Sequence, residues 1–565
     1  MRRFYKRKTP KKNLTLTVVD DHIFQVKSSK MSKADLSVIK KACHVKDHRK
    51  TFTIDKVEWR NLLSFENKFS IDDIPSHVQR LMRKKPGNTF DPKNIPSELW
   101  DTLFPYQKEG VRDIFNKFHG RCLLADDMGL GKTRQALAFI GHCLGTSQES
   151  RVLLVCPSYL RYHWSDKLQH FLNLNTQLVK KGSEALIGQA CVVSYDMLDS
   201  LQIDTGIFDI IVCDESHYVK SRKTKRTKAV TPLVKSARNA LLVTGTPALN
   251  RPIELFSQLL MLRPLYIKNY TAYAARYCNG KPTPYGYDDR GSSNSHELHW
   301  ILRKGFMVRR LKRDVLKQLP PKTRHTTWLE VRASQMKDVE EGFREWRDLN
   351  LTIYKLPSGS EEQRQQIFER RRVISETWRA TAAAKCDAVV RWVITALQEG
   401  RSFIFFAYHQ IVLDAVEDAV AAANFGYMRI DGSTAAHNRN ANVEAFQADE
   451  SLRIAILSIM AAGTGITLTR VSECVFGELY WVPGVLIQAE DRVHRISQTN
   501  RVDIQYLLGA DTLDTYVHPA LCKKLTTLDA LVDQRSDRTF VGETTSTQTL
   551  EDDEESLMGA ISKLF

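Results

Sequence analysis

A chain of 565 residues exceeds what a single hydrophobic core sustains, so two large domains with appendages are expected. Its net charge of +17 favours a polyanionic partner, because each neutralised phosphate releases condensed counterions. Ten cysteines without a C-x-x-C pair argue against structural zinc, and the lack of an apolar run of about 18 residues argues against a membrane span.

Residues 1–100 mix basic clusters with short strand-like alternations such as 51–54 and carry no catalytic constellation; they read as an N-terminal basic accessory region. From Leu103 the texture changes to apolar runs alternating with helical periodicity, the pattern of parallel α/β domains. Strands are predicted at 121–125, 152–156, 190–194, 207–213 and 240–244, within a first lobe spanning 101–318. A second series at 403–406, 428–430, 454–457, 475–479 and 502–507 predicts a second lobe over 319–530. Between the two series, 334–379 is charged and helical and reads as a protruding insertion. Residues 531–565, with five consecutive acids at 551–555, read as a flexible acidic tail.

Asp126-Asp127-Met128-Gly129-Leu130-Gly131-Lys132-Thr133 lies between a predicted strand and a predicted helix, where a phosphate loop belongs. Glycines let backbone N–H groups close on a phosphate, Lys132 would reach the β/γ oxygens, and the Thr133 hydroxyl would ligate Mg²⁺. Asp126 occupies the position of the motif's first glycine. Asp214-Glu215 ends a buried run, which suits Asp214 to the Mg²⁺ shell and Glu215 to the attacking water. Thr244 to Pro247, at another strand end, would relay the nucleotide state. Gln488, Arg492 and Arg495 are spaced i, i+4, i+7, so one helix face would present all three and could complete an ATP site from across a cleft. Each block alone also fits a blander role: a Gly-rich turn, an acidic helix cap, a solvated face of ion pairs. Their order along one chain favours the catalytic reading.

Together with Phe104-Pro105-Tyr106-Gln107, Val155-Cys156-Pro157-Ser158 and the block from Met307 to Lys322, these motifs resemble the superfamily 2 helicase-like ATPases of the Swi/Snf type over about 103–531. Asp214-Glu215-Ser216-His217, Gly291 to Asn294 and Trp481 to Gln488 are most similar to its annealing-helicase branch. The resemblance implies two RecA-like parallel-sheet lobes of the P-loop NTPase kind with helical insertions, ATP and Mg²⁺ as cofactors, and double-stranded or branched DNA as partner. It implies that Tyr106 and Gln107 lie on the adenine side and that Asp127, Met128, Gly129, Leu130, Gly131, Gly463 and Gly465 contact nucleotide. Phosphate contacts to DNA would come from Ser158, Ser194, His409, Gly432 and Thr464, and the basic run 220–228 suits a duplex. Asp127 stands where the family usually has Glu, and Ser497 where it has Gly; neither change removes a catalytic group. The function implied is ATP-driven DNA translocation that remodels or reanneals DNA, with replication or repair proteins as further partners. The location is nuclear for a eukaryotic or nuclear-virus source and cytoplasmic with the DNA otherwise. The alternatives are a chromatin-remodelling ATPase, an RNA helicase and a nucleotide-binding scaffold.

Overall fold

A computed structural model describes residues 12–19, 23–28, 39, 45–48, 51–55, 69–72, 75–82, 87, 89–283, 286–357, 360–461, 466–496 and 498–532. In the N-terminal region β1 (Lys12–Val18), β2 (Ile23–Ser28), β3 (Val45–His48), β4 (Thr51–Asp55) and β5 (Phe69–Asp72) form one sheet in the order β3-β4-β2-β1-β5. Leu14, Leu16 and Val18 alternate along β1 and are fully buried, because a period of two sends them to one face. That face packs into the first lobe's core, and Glu297 fastens it: its carboxylate accepts the Val18 N–H at 3.1 Å and pairs with Arg276, which donates to the Leu16 carbonyl.

The first lobe is built on β6 (Arg121–Leu124), β7 (Val152–Cys156), β8 (Thr176–Leu178), β9 (Ala190–Ser194), β10 (Ile210–Asp214), β11 (Asn239–Val243) and β14 (Met307–Val308), with a small hairpin of β12 (Lys281–Thr283) and β13 (Gly286–Asp288) outside the sheet. All seven sheet strands are parallel, in the order β14-β6-β11-β10-β7-β9-β8. Helices cover both faces, so β7 and β9 are buried at every residue and read as unbroken apolar runs.

The second sheet, β15 (Lys322–Leu329), β16 (Phe403–Ala407), β17 (Gly426–Ile430), β18 (Leu452–Ser458), β19 (Glu473–Phe476) and β20 (Val502–Gly509), is also wholly parallel, ordered β15-β20-β19-β16-β18-β17. The fold is thus α/β with two parallel-sheet lobes, helical insertions and an N-terminal accessory sheet. Three strands of the two lobe sheets lie outside the predicted series: β8, β14 and β15. β15 reads KTRHTTWL and runs along the sheet edge beside β20 alone, so no buried apolar run marked it.

The 334–379 segment departs from the reading of a protruding insertion. It forms the helix Lys337–Lys355 and the first half of the 38-residue helix Glu361–Gln398. Trp346, Val373, Ile374 and Trp378 are buried in the second lobe's core, so only the hairpin's far end, with Tyr354 at 91% exposure, stands out. Apolar residues recurring one or two turns apart among many charges make an inward stripe that overall composition hides.

The last helix, Asp514–Val532, leaves the second lobe and packs on Ser295–Ile301 of the first, carrying Leu528 into the first lobe's core. Residues 533–565, with the acidic run, lie outside the described residues.

Candidate active site

β6 feeds residues 125–131 into the helix Lys132–Thr146. The loop turns on Gly129 and Gly131, both left-handed with φ of +81° and +72°, a region open to glycine at little steric cost. Gln107 closes the loop's far end: its Oε1 accepts the Phe104 N–H at 2.9 Å and its Nε2 donates to the Leu130 carbonyl at 3.0 Å. A Cβ at Gly131 would stand 2.3 Å from that Nε2, so only glycine fits. The Tyr106 hydroxyl donates to the same Leu130 carbonyl at 3.2 Å, and burial pushes its phenol up to about 12. Met128 lies against Gly245, where a Cβ would meet its Cγ at 2.2 Å. Lys132 Nζ folds back to donate to the carbonyls of Asp126 and Asp127 at 2.9 and 3.1 Å. Burial lowers its pKa, opposed chiefly by Glu215. Thr133 is half-buried in the helix's first turn.

Asp214 ends β10, one strand from β11 and two from β6, so the parallel sheet brings its carboxylate to the same edge as the loop. Its Oδ2 accepts from Trp164 Nε1 at 2.8 Å and its Oδ1 from the Glu215 N–H at 2.9 Å. Burial and the adjacent Glu215 raise its pKa to about 7. Glu215 holds a left-handed backbone with φ of +50°, uncommon outside glycine and costing of order 1 kcal/mol. Its Oε2 lies 3.2 Å from His217 Nδ1, an ion-pair distance, but has no hydrogen-bond partner although buried. Burial would raise its pKa; His217, Lys132 and Arg492 together hold it low. His217 Nδ1 also lies 3.2 Å from Thr244 Oγ1, which accepts the Thr246 N–H at 3.2 Å.

From the second lobe, Gln488 Nε2 donates to Thr246 Oγ1 at 2.8 Å, so the polar chain from Glu215 ends on the opposite half. The expectation that Gln488, Arg492 and Arg495 share a helix face needs correction, because the helix Pro483–Glu490 stops before the arginines. The N–H groups of Asp491, Val493 and His494 reach back to Ile487, Glu490 and Glu490, while that of Arg495 bonds Val493, so 491–496 is a chain of turns. The turns still aim the arginines at the first lobe. Arg492 is buried beside Glu215 and Tyr159, its Nε lacks a hydrogen-bond partner, and burial lowers its pKa against the pull of Glu215. Arg495 bonds Thr467 Oγ1 and the Asp491 carbonyl, and burial, with Arg492 alongside, lowers its pKa to about 9. A Cβ at Gly129 would lie 3.4 Å from Arg495 Cγ, so the arginine turn abuts the phosphate loop. Gly463, Thr464 and Gly465 lie outside the described residues.

The cations of the lobe-joining segment, which the family resemblance leaves without roles, hold the loop's two acids. Asp126, at the first-glycine position, is fully buried and binds Arg310 through both its backbone N–H at 2.9 Å and its guanidinium at 3.2 Å. Asp127 pairs with Arg309 at 3.2 Å and accepts the Lys312 N–H at 3.1 Å. The loop's unusual acids thus answer a dense basic run, M-V-R-R-L-K-R, the signal that pairs them in hindsight.

The four described residues expected to contact DNA lie near the C-terminal ends of strands. Ser158 is exposed just past β7, beside the end of β9, where Ser194 is only 3% exposed. His409 follows β16 and holds Glu478 Oε1 at 2.6 Å; Gly432, past β17, is open to solvent with nothing within 4 Å of a Cβ position. In the basic run, Lys220 pairs with Glu254 at 3.0 Å and Arg222 lies 3.8 Å over the Tyr270 ring.

A family model for the SNF2-related domain matches residues 106–380 and one for the helicase conserved C-terminal domain matches 384–497. The chain belongs to the SNF2-related, helicase-like ATPase family. It is 36% identical over 458 residues to the SWI/SNF-related matrix-associated actin-dependent regulator of chromatin subfamily A-like protein 1 of Xenopus tropicalis, covering 78% of this chain and 46% of that relative. It is 38% identical over 479 residues to the DNA annealing helicase and endonuclease ZRANB3 of Mus musculus, covering 82% and 43%. The chain therefore spans about half the length of the curated relatives it matches. Among solved structures, the Sulfolobus solfataricus SWI2/SNF2 ATPase core in complex with dsDNA aligns over 79% of this chain and 99% of its own, at 22% identity and a TM-score of 0.38. No helix among the described residues is long and apolar enough to cross a membrane.

Proposed function

We propose that this protein hydrolyses ATP in the cleft between its lobes and uses the cycle to translocate on double-stranded or branched DNA, remodelling or reannealing it. The observation that carries the reading is a pair of buried atoms of opposite charge, one from each lobe, that lack a hydrogen bond: Glu215 Oε2, which lies 3.2 Å from His217 Nδ1, and Arg492 Nε. A buried polar atom left without a hydrogen bond costs roughly 1–3 kcal/mol, and a bound nucleotide with its attacking water would satisfy both. Such a donor set fits a magnesium–nucleotide, with Thr133 and Asp214 as the residues to hold the ion, which when bound supplies charge neutralisation on the phosphates.

Lys132, released from its own loop's carbonyls, would neutralise the β/γ-phosphates while the left-handed glycines turn backbone N–H groups toward them. Glu215 would orient the attacking water and accept its proton, with His217 fixing the carboxylate. Arg492 and Arg495 would offset charge developing at the γ-phosphate, a role open to them only when the lobes are closed. Hydrolysis would then be coupled to lobe motion, and alternating grip on phosphates by the two lobes would produce stepping. Family membership, the +17 charge and relatives named as annealing helicases support duplex DNA as the track, and replication or repair proteins in a nucleus as its setting.

The test is DNA-stimulated ATPase activity on plain duplex, model forks and single-stranded RNA, with fork regression measured beside nucleosome sliding. Stimulation by duplex and fork, with fork regression, is expected. Equal stimulation by RNA, or sliding without regression, would overturn the assignment.

A further inference from the structure

The block 309–315 joins the lobes in sequence, and one of its side chains also joins them in space. Lys312 is 6% exposed, and its two polar ends face different halves of the molecule. Its backbone N–H, on the first lobe, donates to Asp127 Oδ2 of the phosphate loop at 3.1 Å. Its Nζ reaches the second lobe, donating to the His494 carbonyl at 2.6 Å and pairing with Asp491 Oδ1 at 3.1 Å. These two partners frame Arg492 and lie within the turn that ends at Arg495. A Cβ at Gly129 would lie 3.7 Å from Lys312 Cε and 3.4 Å from Arg495 Cγ, so the lysine stem and the arginine lie side by side against the loop.

We propose that Lys312 is a positioning residue that ties the arginine turn of the second lobe to the phosphate loop of the first, setting where Arg492 and Arg495 meet the nucleotide. The inference rests on the ATPase reading above. Beyond Glu490 the turn keeps only scattered N–H bonds in place of a helix's continuous ladder, so its arginines, Arg492 buried, Arg495 half-buried and the two mutually repulsive, need an external hold. Asp491 supplies one side of that hold and is gripped in turn by Lys322 at 3.1 Å, which places an ion-pair lattice behind the turn. Within this lattice Lys312 is also bonded to the phosphate loop, its backbone N–H donating to Asp127, and so can register the turn against bound phosphate. Because its ammonium is buried with both partners in place, loss of the charge leaves Asp491 with Lys322 but releases the His494 carbonyl, loosening the turn without emptying the nucleotide pocket.

The decisive comparison is Lys312→Met, which keeps the stem under Gly129, with Lys312→Arg and Asp491→Asn. Affinity is read with a fluorescent ATP analogue and kcat with saturating duplex. The expected result is an ATP affinity within threefold of wild type, kcat down at least tenfold in Lys312→Met, partial recovery in Lys312→Arg, and a Lys312→Met/Asp491→Asn double variant no slower than the slower single. A kcat within twofold of wild type, or loss of nucleotide affinity in step with kcat, overturns the inference. If Lys312→Met fails to fold, Lys312→Arg and Asp491→Asn decide by the same split of kcat from affinity. Failure of the underlying ATPase reading is distinct, because wild-type protein would then show no DNA-stimulated turnover.

Discussion

The two banks of the cleft are built on opposite plans. On the first lobe, the phosphate loop and the Asp214–Glu215 pair lie at the ends of strands β6 and β10 of one parallel sheet, and most of their polar groups are held from their own lobe: Lys132 by loop carbonyls, Asp214 by Trp164, Gln107 by Leu130. On the second lobe, the arginines lie on turns past a helix end, are held by few bonds, and retain an unsatisfied Nε. One bank is preorganised by the sheet; the other is a delivery surface whose placement depends on contacts across the cleft. Binding and chemistry should therefore separate by lobe.

The largest effects test that separation. Glu215→Gln, which keeps shape and removes the proposed base, is expected to lower kcat by about 10³-fold or more while the ATP analogue still binds. Lys132→Ala on the same bank should lose nucleotide affinity as well, measured by the same titration. Next, Arg492→Ala should lower kcat by roughly 10³-fold with nucleotide affinity little changed. An equal loss of affinity would mean that the second bank binds rather than delivers, and the contrast would collapse.

Stability measurements sharpen the same comparison at the base and tip of the helical insertion. Trp346→Ala, in the buried base, should cost about 3–5 kcal/mol in denaturant unfolding, whereas Tyr354→Ala at the exposed tip should stay within about 0.5 kcal/mol. Similar values at both sites would restore the reading of a protrusion independent of the core. Smaller than Trp346→Ala is Gly129→Ala: at φ of +81° a Cβ strains the backbone although it meets Arg495 Cγ only at van der Waals distance, so it should cost roughly 1–2 kcal/mol, visible as a lower melting temperature.

The sequence made contiguous chemistry readable. Glycines beside Lys132, and adjacent carboxylates after an apolar strand, need only local geometry, and parallel strands then bring their ends to one edge. It was less informative wherever a long-range neighbour decides. The i, i+4, i+7 spacing at Gln488 suggested a helix face, yet the backbone leaves the helix at Glu490, whose carboxylate is held by Lys322, Arg324 and the Tyr506 hydroxyl. β15 escaped notice because an edge strand needs no apolar run, and the insertion's buried stripe was masked by its charged majority.

Composition and motif order by themselves determined two parallel α/β lobes and singled out the loop, carboxylates and arginines as the proposed site, since each follows from local periodicity or from residues adjacent in the chain. Only tertiary structure decided that Asp126 and Asp127 engage the lobe-joining segment, that the accessory sheet docks through Glu297, and that Lys312 spans the cleft. Those pairings join residues far apart in sequence, and burial of unlike charges at close range, which no local pattern encodes, selects them.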